Sequence, residues 1–457
     1  MGNEGTPERI VELAPVAARA GAPESAEAES DAPLLSDTDA TSSGRLWSAL
    51  DGELRHSPGD LVGATSLVAG TTVGAGILAI PTVTSASGYV PSAVVILGCW
   101  VYSCVTGLLV AEVNVRLMCE LGRGGVSILS MSKQTLGRPG EAFTYVAYLF
   151  LHYALLVAYV ARGGELIAQV VGWTGSDADG AGGGLGAGAG GLGFALLIGA
   201  SVYFSSPRAL DKINSVLVGG VVATFLVLVG TALSQTDPAG LLSPCDWQKA
   251  GATIPVITLA FVFHNVIPVV ATSLEGDTTK IRTSILAGTG VPLAMFLLWN
   301  AAILGFRGGP EGAGTDPLDA LIASEPFVGT LVQYFSLLAI GTSFIGFVLG
   351  LVDFLSDGLR LPTNTKNPIP FALAIAPPTL FALSYPDVFV RALNSAGVFG
   401  VLTLFGVLPP AMAYQARQRG DLGPGGRLLP GGTAALVFIA LPAASIVLSE
   451  VATIRPF

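Results

Sequence analysis

Long apolar runs separated by short polar gaps fill the chain from about residue 58 to residue 450. A membrane-crossing helix needs roughly 20 mainly apolar residues. Eleven runs meet or approach that length: 61–84, 90–116, 141–171, 190–206, 211–233, 252–274, 283–305, 327–356, 369–384, 392–414 and 430–450. The third and eighth are long enough to tilt or to extend past the bilayer. The fourth and ninth are short. Between the third and fourth, "GSDADGAGGGLGAGAGG" reads as a flexible polar loop. The pattern predicts an all-α membrane protein of about 11 transmembrane helices.

Two of the runs carry residues that oppose a regular helix. The first, "GATSLVAGTTVGAGILAIPTVTSASG" (Gly63–Gly88), holds glycines at 63, 70, 74 and 76 and ends its most apolar part at Pro81. Lipid offers the backbone no hydrogen bonds, so an interruption there needs protein or a ligand around it. The sixth, "IPVITLAFVFHNVIPVVATSLEGD", sets His264-Asn265 among apolar residues and follows them with Pro268, which lacks the amide proton of a helical turn. The two interruptions are five runs apart. That spacing predicts a five-plus-five inverted repeat with discontinuous helices 1 and 6 and a central binding site. The first repeat would span 58–233 and the second, inverted, 251–414, with an additional eleventh helix at 430–450. Two ordinary kinks, with glycines serving close helix packing, are the alternative.

Composition agrees with the membrane assignment: 51% of the 457 residues are hydrophobic and 12% charged, where a soluble domain carries about 25% charged residues. The net charge of −10 owes much to residues 1–57, an acidic segment without apolar periodicity that is expected to be disordered and cytoplasmic. It lacks the basic start and apolar core of a secretory signal. Within it Asp31-Ala-Pro-Leu-Leu35 reads either as an acidic dileucine sorting signal or as two leucines in a low-complexity tail. With the N-terminus inside, only Arg162, Lys249, Arg307, Arg391 and Arg455 of the 22 basic residues lie on the outer side. The positive-inside rule therefore places the N-terminus in the cytoplasm. Plasma membrane and endomembranes both remain open.

The interruptions suggest the chemistry. Gly70, Gly74, Ala75 and Gly76 permit close approach to the backbone. Exposed N–H groups at the start of the following half-helix would favour a carboxylate. Thr71 and Thr72 could add hydroxyl bonds, and freed carbonyls around Phe263, His264 and Asn265 could receive an ammonium group. A zwitterionic amino acid fits the pair. His264 has an unperturbed pKa near 6.5 and could bind substrate, carry a coupling proton or hold the broken helix. Glu112 and Asp353 could form a gate, relay protons or take part in structural ion pairs, Arg116 being one available partner. Thr342 and Ser343 could help hold a small cation, or bond back to their own helix.

No nucleophile with an adequate base and no metal-ligand cluster is apparent, so an enzyme is not expected, nor a metal, cofactor or nucleic-acid partner. A channel would need a selectivity motif or polar rings that the sequence does not display.

The stretches "GTTVGAGILAIP" (Gly70–Pro81), "EVN" (Glu112–Asn114), "FHNVIP" (Phe263–Pro268) and "TSFIGFVLGLVDF" (Thr342–Phe354) resemble the tyrosine/tryptophan permease family of the amino acid–polyamine–organocation superfamily. The resemblance covers about residues 58–450. It implies an eleven-span permease of the inverted-repeat fold, with bacterial members importing aromatic amino acids together with protons. By carry-over, Gly70–Gly76 would cradle the substrate carboxylate and Phe263–Asn265 the amine side. In sodium-coupled relatives of the wider fold, positions matching Thr342 and Ser343 help hold a cation, so sodium-coupled transport of other neutral amino acids is the alternative. The acidic tail departs from the compact bacterial pattern.

Overall fold

The computed structural model describes residues 60–121, 126–173, 181–234, 236, 240–243, 245–305, 326–359, 367–385, 388–419 and 426–453. The acidic tail and its Asp31–Leu35 motif lie outside the described residues. Among those described the architecture is helical, without a sheet. In chain order the helices are α1 (Leu61–Thr72), α2 (Gly76–Thr84), α3 (Tyr89–Leu121), α4 (Ile128–Val171), α5 (Ala181–Phe204), α6 (Pro207–Ser234) and the short α7 (Trp247–Ala250). There follow α8 (Ile254–Ala260), α9 (Ile267–Ser273), α10 (Thr278–Leu304), α11 (Pro326–Gly358), α12 (Pro368–Ser384), α13 (Phe389–Ser395), α14 (Leu408–Gln418) and α15 (Thr433–Thr453).

Among the described residues nine helical stretches are long and apolar enough to cross a membrane, or ten if the pair α1–α2, bent by 49°, is one span. The predicted run 369–384 forms the shorter, 17-residue α12. The run 392–414 lies on α13, a π-helix from Ala396 to Val407, and α14. Gly137, with φ 74° and ψ −164°, kinks the N-terminal part of α4 away from the long helix that follows.

One expectation is corrected. The glycine-rich stretch read as a loop is helical from Ala181 onward and forms the first turns of α5. Its glycines serve packing. A Cβ on Gly164 of α4 would lie 2.6 Å from both the Ala187 carbonyl and the Gly191 nitrogen, and a Cβ on Gly190 would strike the Gly164 carbonyl. Low helix propensity yields because lipid supplies no alternative hydrogen bonds and bare surfaces let two backbones touch.

The same device positions the first interruption. Gly288 on α10 would, with a Cβ, sit 2.7 Å from the Val68 side chain and 2.8 Å from the Thr65 carbonyl, so α1 lies directly against α10. Polar links then fix α2. Thr84 donates to Asn300 Oδ1 at 2.8 Å, and the Asn300 amide donates to Ser92 Oγ at 2.9 Å, joining α2, α3 and α10 through one side-chain amide. Interhelical hydrogen bonds in membranes are worth about 0.6 kcal/mol on average. Close packing therefore carries most of the cohesion, and these bonds fix register.

Candidate functional site

The helix beginning at Leu61 ends at Thr72, and Val73 turns to φ −78°, ψ 92°. Its last amide bond runs from Val73 N–H to the Ala69 carbonyl at 2.9 Å. The chain re-enters a helix at Gly76, through tight turns from Ile77 N–H to Gly74 and from Leu78 N–H to Ala75, both 3.2 Å. Ala75 N–H donates to Ser343 Oγ of α11 at 2.9 Å. Among the described residues no hydrogen bond uses the N–H of Gly74 or Gly76. Two backbone donors thus stand at the start of α2, where the helix dipole favours negative charge.

The second interruption has a different construction. α8 ends at Ala260; Phe261 and Phe263 leave helical geometry, and a 3₁₀ turn over His264–Val266 leads into α9. Pro268 occupies the first turn of α9, where a missing amide proton costs little. The side chains of Phe261, Phe263 and His264 are all buried. Phe263 fills a notch left by Gly107 on α3, where a Cβ would lie 2.6 Å from its ring. His264 stacks between Phe263 and Phe405, at 4.8 and 4.6 Å, and its Nε2 meets Thr106 Oγ1 at 2.9 Å.

The two interruptions adjoin. A Cβ on Gly76 would sit 3.0 Å from Ala260 Cα and Cβ, so the start of α2 rests on the last residue of α8. Of the residues singled out from sequence, the backbones of Gly74, Ala75 and Gly76 come to this junction, together with the end of the helix preceding Phe263. Gly70 faces open space, while Thr71 and Thr72 give their hydroxyls to Leu67 and Val68 of their own helix at 2.7 Å. The side chains of Phe263 and His264 turn toward α3, and Asn265 is exposed. Thr342 bonds back to Ala339 at 2.9 Å, whereas Ser343 reaches Ala75. Tyr159 of α4 places its hydroxyl beside Ser343, a neighbour that no residue pattern along the chain identifies.

The acidic residues lie away from this junction. Glu112 is clamped by Arg417 of α14, at 2.6 Å from Nε and 2.9 Å from Nη2, and also accepts from Leu428 and Leu429 N–H at 3.1 and 3.4 Å. Arg116 pairs instead with Glu120 at 2.8 Å. Asp353 is exposed on α11, beside the stacked pair Tyr148 and Phe354. A cavity of about 460 Å³ opens elsewhere, between α5 and α12, and its lining of Leu196, Tyr203, Phe371 and Ile375 is almost wholly apolar. Its walls suit hydrocarbon, not a zwitterion.

Residues 58–449 match the model of the tryptophan/tyrosine permease family. A tryptophan-specific transport protein of Pseudomonas aeruginosa is 30% identical over 398 residues, covering 83% of this chain and 92% of that protein. Tyrosine-specific transport system 2 of Haemophilus influenzae is 30% identical over 372 residues, 78% of this chain and 87% of its own. The low affinity tryptophan permease of Escherichia coli is 25% identical over 377 residues, 77% and 86% respectively.

Proposed function

Because the chain belongs to the tryptophan/tyrosine permease family, we propose that it moves an aromatic amino acid across a membrane by alternating access, coupled to a proton. A permease releases its substrate unchanged, so the protein is not an enzyme. The observation that carries the reading is the contact of Gly76 with Ala260, which sets two helix interruptions side by side. In this reading the substrate carboxylate takes the N–H groups of Gly74 and Gly76. Its ammonium group takes carbonyls at the end of α8 and in the segment Phe261–Asn265. Thr71 and Thr72 border the site through their backbone, because their hydroxyls are already engaged.

The helix order supports an inverted repeat, 58–233 and 251–414, in which α1–α2 and α8–α9 occupy equivalent places and α15 is added outside. The excess of basic residues at one end supports a cytoplasmic N-terminus. Aromatic specificity is taken from the relatives' names, tryptophan and tyrosine. Ser343 favours a second arm for coupling: its hydroxyl lies at the first interruption and could serve a sodium ion with Thr342.

Purified protein in liposomes, given labelled tryptophan, tyrosine and alanine under separate proton and sodium gradients, tests the reading. Accumulation of the aromatic amino acids under the proton gradient is expected. Accumulation driven by sodium alone would assign the other ion, and no accumulation or exchange of any amino acid would dismiss the transporter.

A further inference from the structure

Two groups of opposite charge are shut inside the bundle with bonding capacity to spare. Glu275 is 1% exposed, and neither Oε1 nor Oε2 has a hydrogen-bond partner. Arg116 of α3 pairs through Nε with Glu120 at 2.8 Å, while its Nη1 is buried without a partner. Glu275 sits in the turn from α9 to α10 with φ 52°, the one non-glycine residue with positive φ among those described, and is followed by Gly276 at φ 73°. A left-handed backbone at a residue with a side chain is locally unfavourable and persists only where the surroundings impose it.

Helix register brings the two to one level. Thr258 of α8 bonds the Cys99 sulfur at 3.4 Å and Thr106 meets His264 at 2.9 Å, pairs 159 and 158 positions apart. Gly107 faces the Ile267 side chain at the start of α9. α3 therefore runs parallel to α8 and α9, and the same offset sets Arg116 level with Glu275, again 159 positions on. The other charged groups nearby are less suited. Glu112 already holds Arg417, Arg282 donates to the Leu428 carbonyl, and Asp277 caps α10. Lys280 is half-buried, and its ammonium is not among the enclosed groups left without a partner. A buried charge without a partner is costly, and a guanidinium meeting a carboxylate relieves both groups at once.

Resting on the transporter reading above, we propose that Arg116 and Glu275 form an ion-pair latch, parted in this structure and closed in the other access state. α9 is a single short helix with the second interruption at its start and Glu275 just past its end. A shift of that interruption on substrate binding therefore carries Glu275 with it, whereas α3 is one continuous helix over Tyr89–Leu121. In the present state Glu120, toward the surface, is the acidic partner of the guanidinium among the described residues. In the other state Nη1 donates to the Glu275 carboxylate, and the end of α9 is drawn onto α3. The latch works by charge and distance alone. It makes engagement of substrate at the interruption and closure of α9 on α3 a single event.

The test uses full-length wild type, R116Q, E275Q and R116Q/E275Q in liposomes, with labelled tryptophan. Each single variant should slow exchange of external for internal tryptophan, and the double variant should lose no more than the worse single one. Losses that multiply in the double variant overturn the proposal, as does a wild-type rate in either single one. Absence of exchange by the wild type would instead refute the transporter reading itself. Where a single variant does not fold, the double variant, which encloses no lone charge of this pair, should fold; failure of both removes the pair. Infrared difference spectra on tryptophan addition separate a latch from a fixed bond. The carboxylate band missing from E275Q should move in wild type and stay still in R116Q, and a band that stays still in wild type overturns the latch.

Discussion

The two interruptions lie against each other but are made by opposite means. Residues 73–75 open because side chains are missing: Gly74 and Gly76 flank Ala75, and one hydroxyl, from Ser343, holds the segment. Residues 261–266 open because Pro268 cannot continue a helix backward, and the gap is walled by Phe261, Phe263 and His264, all buried. The first interruption leaves backbone groups available to a ligand. The second spends its side chains on packing against α3 and Phe405. Bare backbone thus distinguishes the first interruption, and aromatic filling the second.

Substitutions can break this contrast. Gly76→Val should have the largest effect, abolishing tryptophan uptake with the protein still inserted, because its Cβ would meet the Ala260 backbone at 3.0 Å. Uptake near wild type from a folded G76V protein would remove the contact from the mechanism. His264→Ala should act mainly on stability, by about 2–4 kcal/mol for a vacated buried ring site, read as a lowered melting temperature in detergent. The pH profile of its remaining uptake should match wild type; a displaced profile would return the proton to His264.

Ser343→Ala sharpens the contrast at a smaller scale. Losing the bond to Ala75 N–H should cost about 1 kcal/mol, roughly a fivefold rise in apparent KM for tryptophan. Thr342→Val should be nearly silent in the same assay, since Thr342 donates only to its own helix at Ala339. Equal losses in S343A and T342V would point to a shared cation site in place of a backbone tether.

Much of this was legible in the sequence because lipid makes the rules strict: apolar runs mark the helices, and glycine and proline mark where they stop. Residues 181–191 misled for the same reason they are informative. Glycine there reads as loop by propensity but is a packing surface once Gly164 and Gly190 meet. The partner of Glu112 was out of reach, because Arg417 is 305 positions away and the pairing depends on how α3 and α14 cross.

The π-helix over Ala396–Val407 sets the angular phase of everything after it. Phe405 lies within it and Arg417 beyond it, so His264 and Glu112, in different parts of the bundle, are both served by one winding. Each residue of an α-helix turns the chain by about 100°. A one-residue deletion there, relaxing the wide coil to the common one, would swing the aromatic ring and the guanidinium away from their partners in the same stroke. The segment thus acts as a counter of residues, sensitive to how many it holds as well as to the close approach that Gly397 allows to the Pro255 backbone.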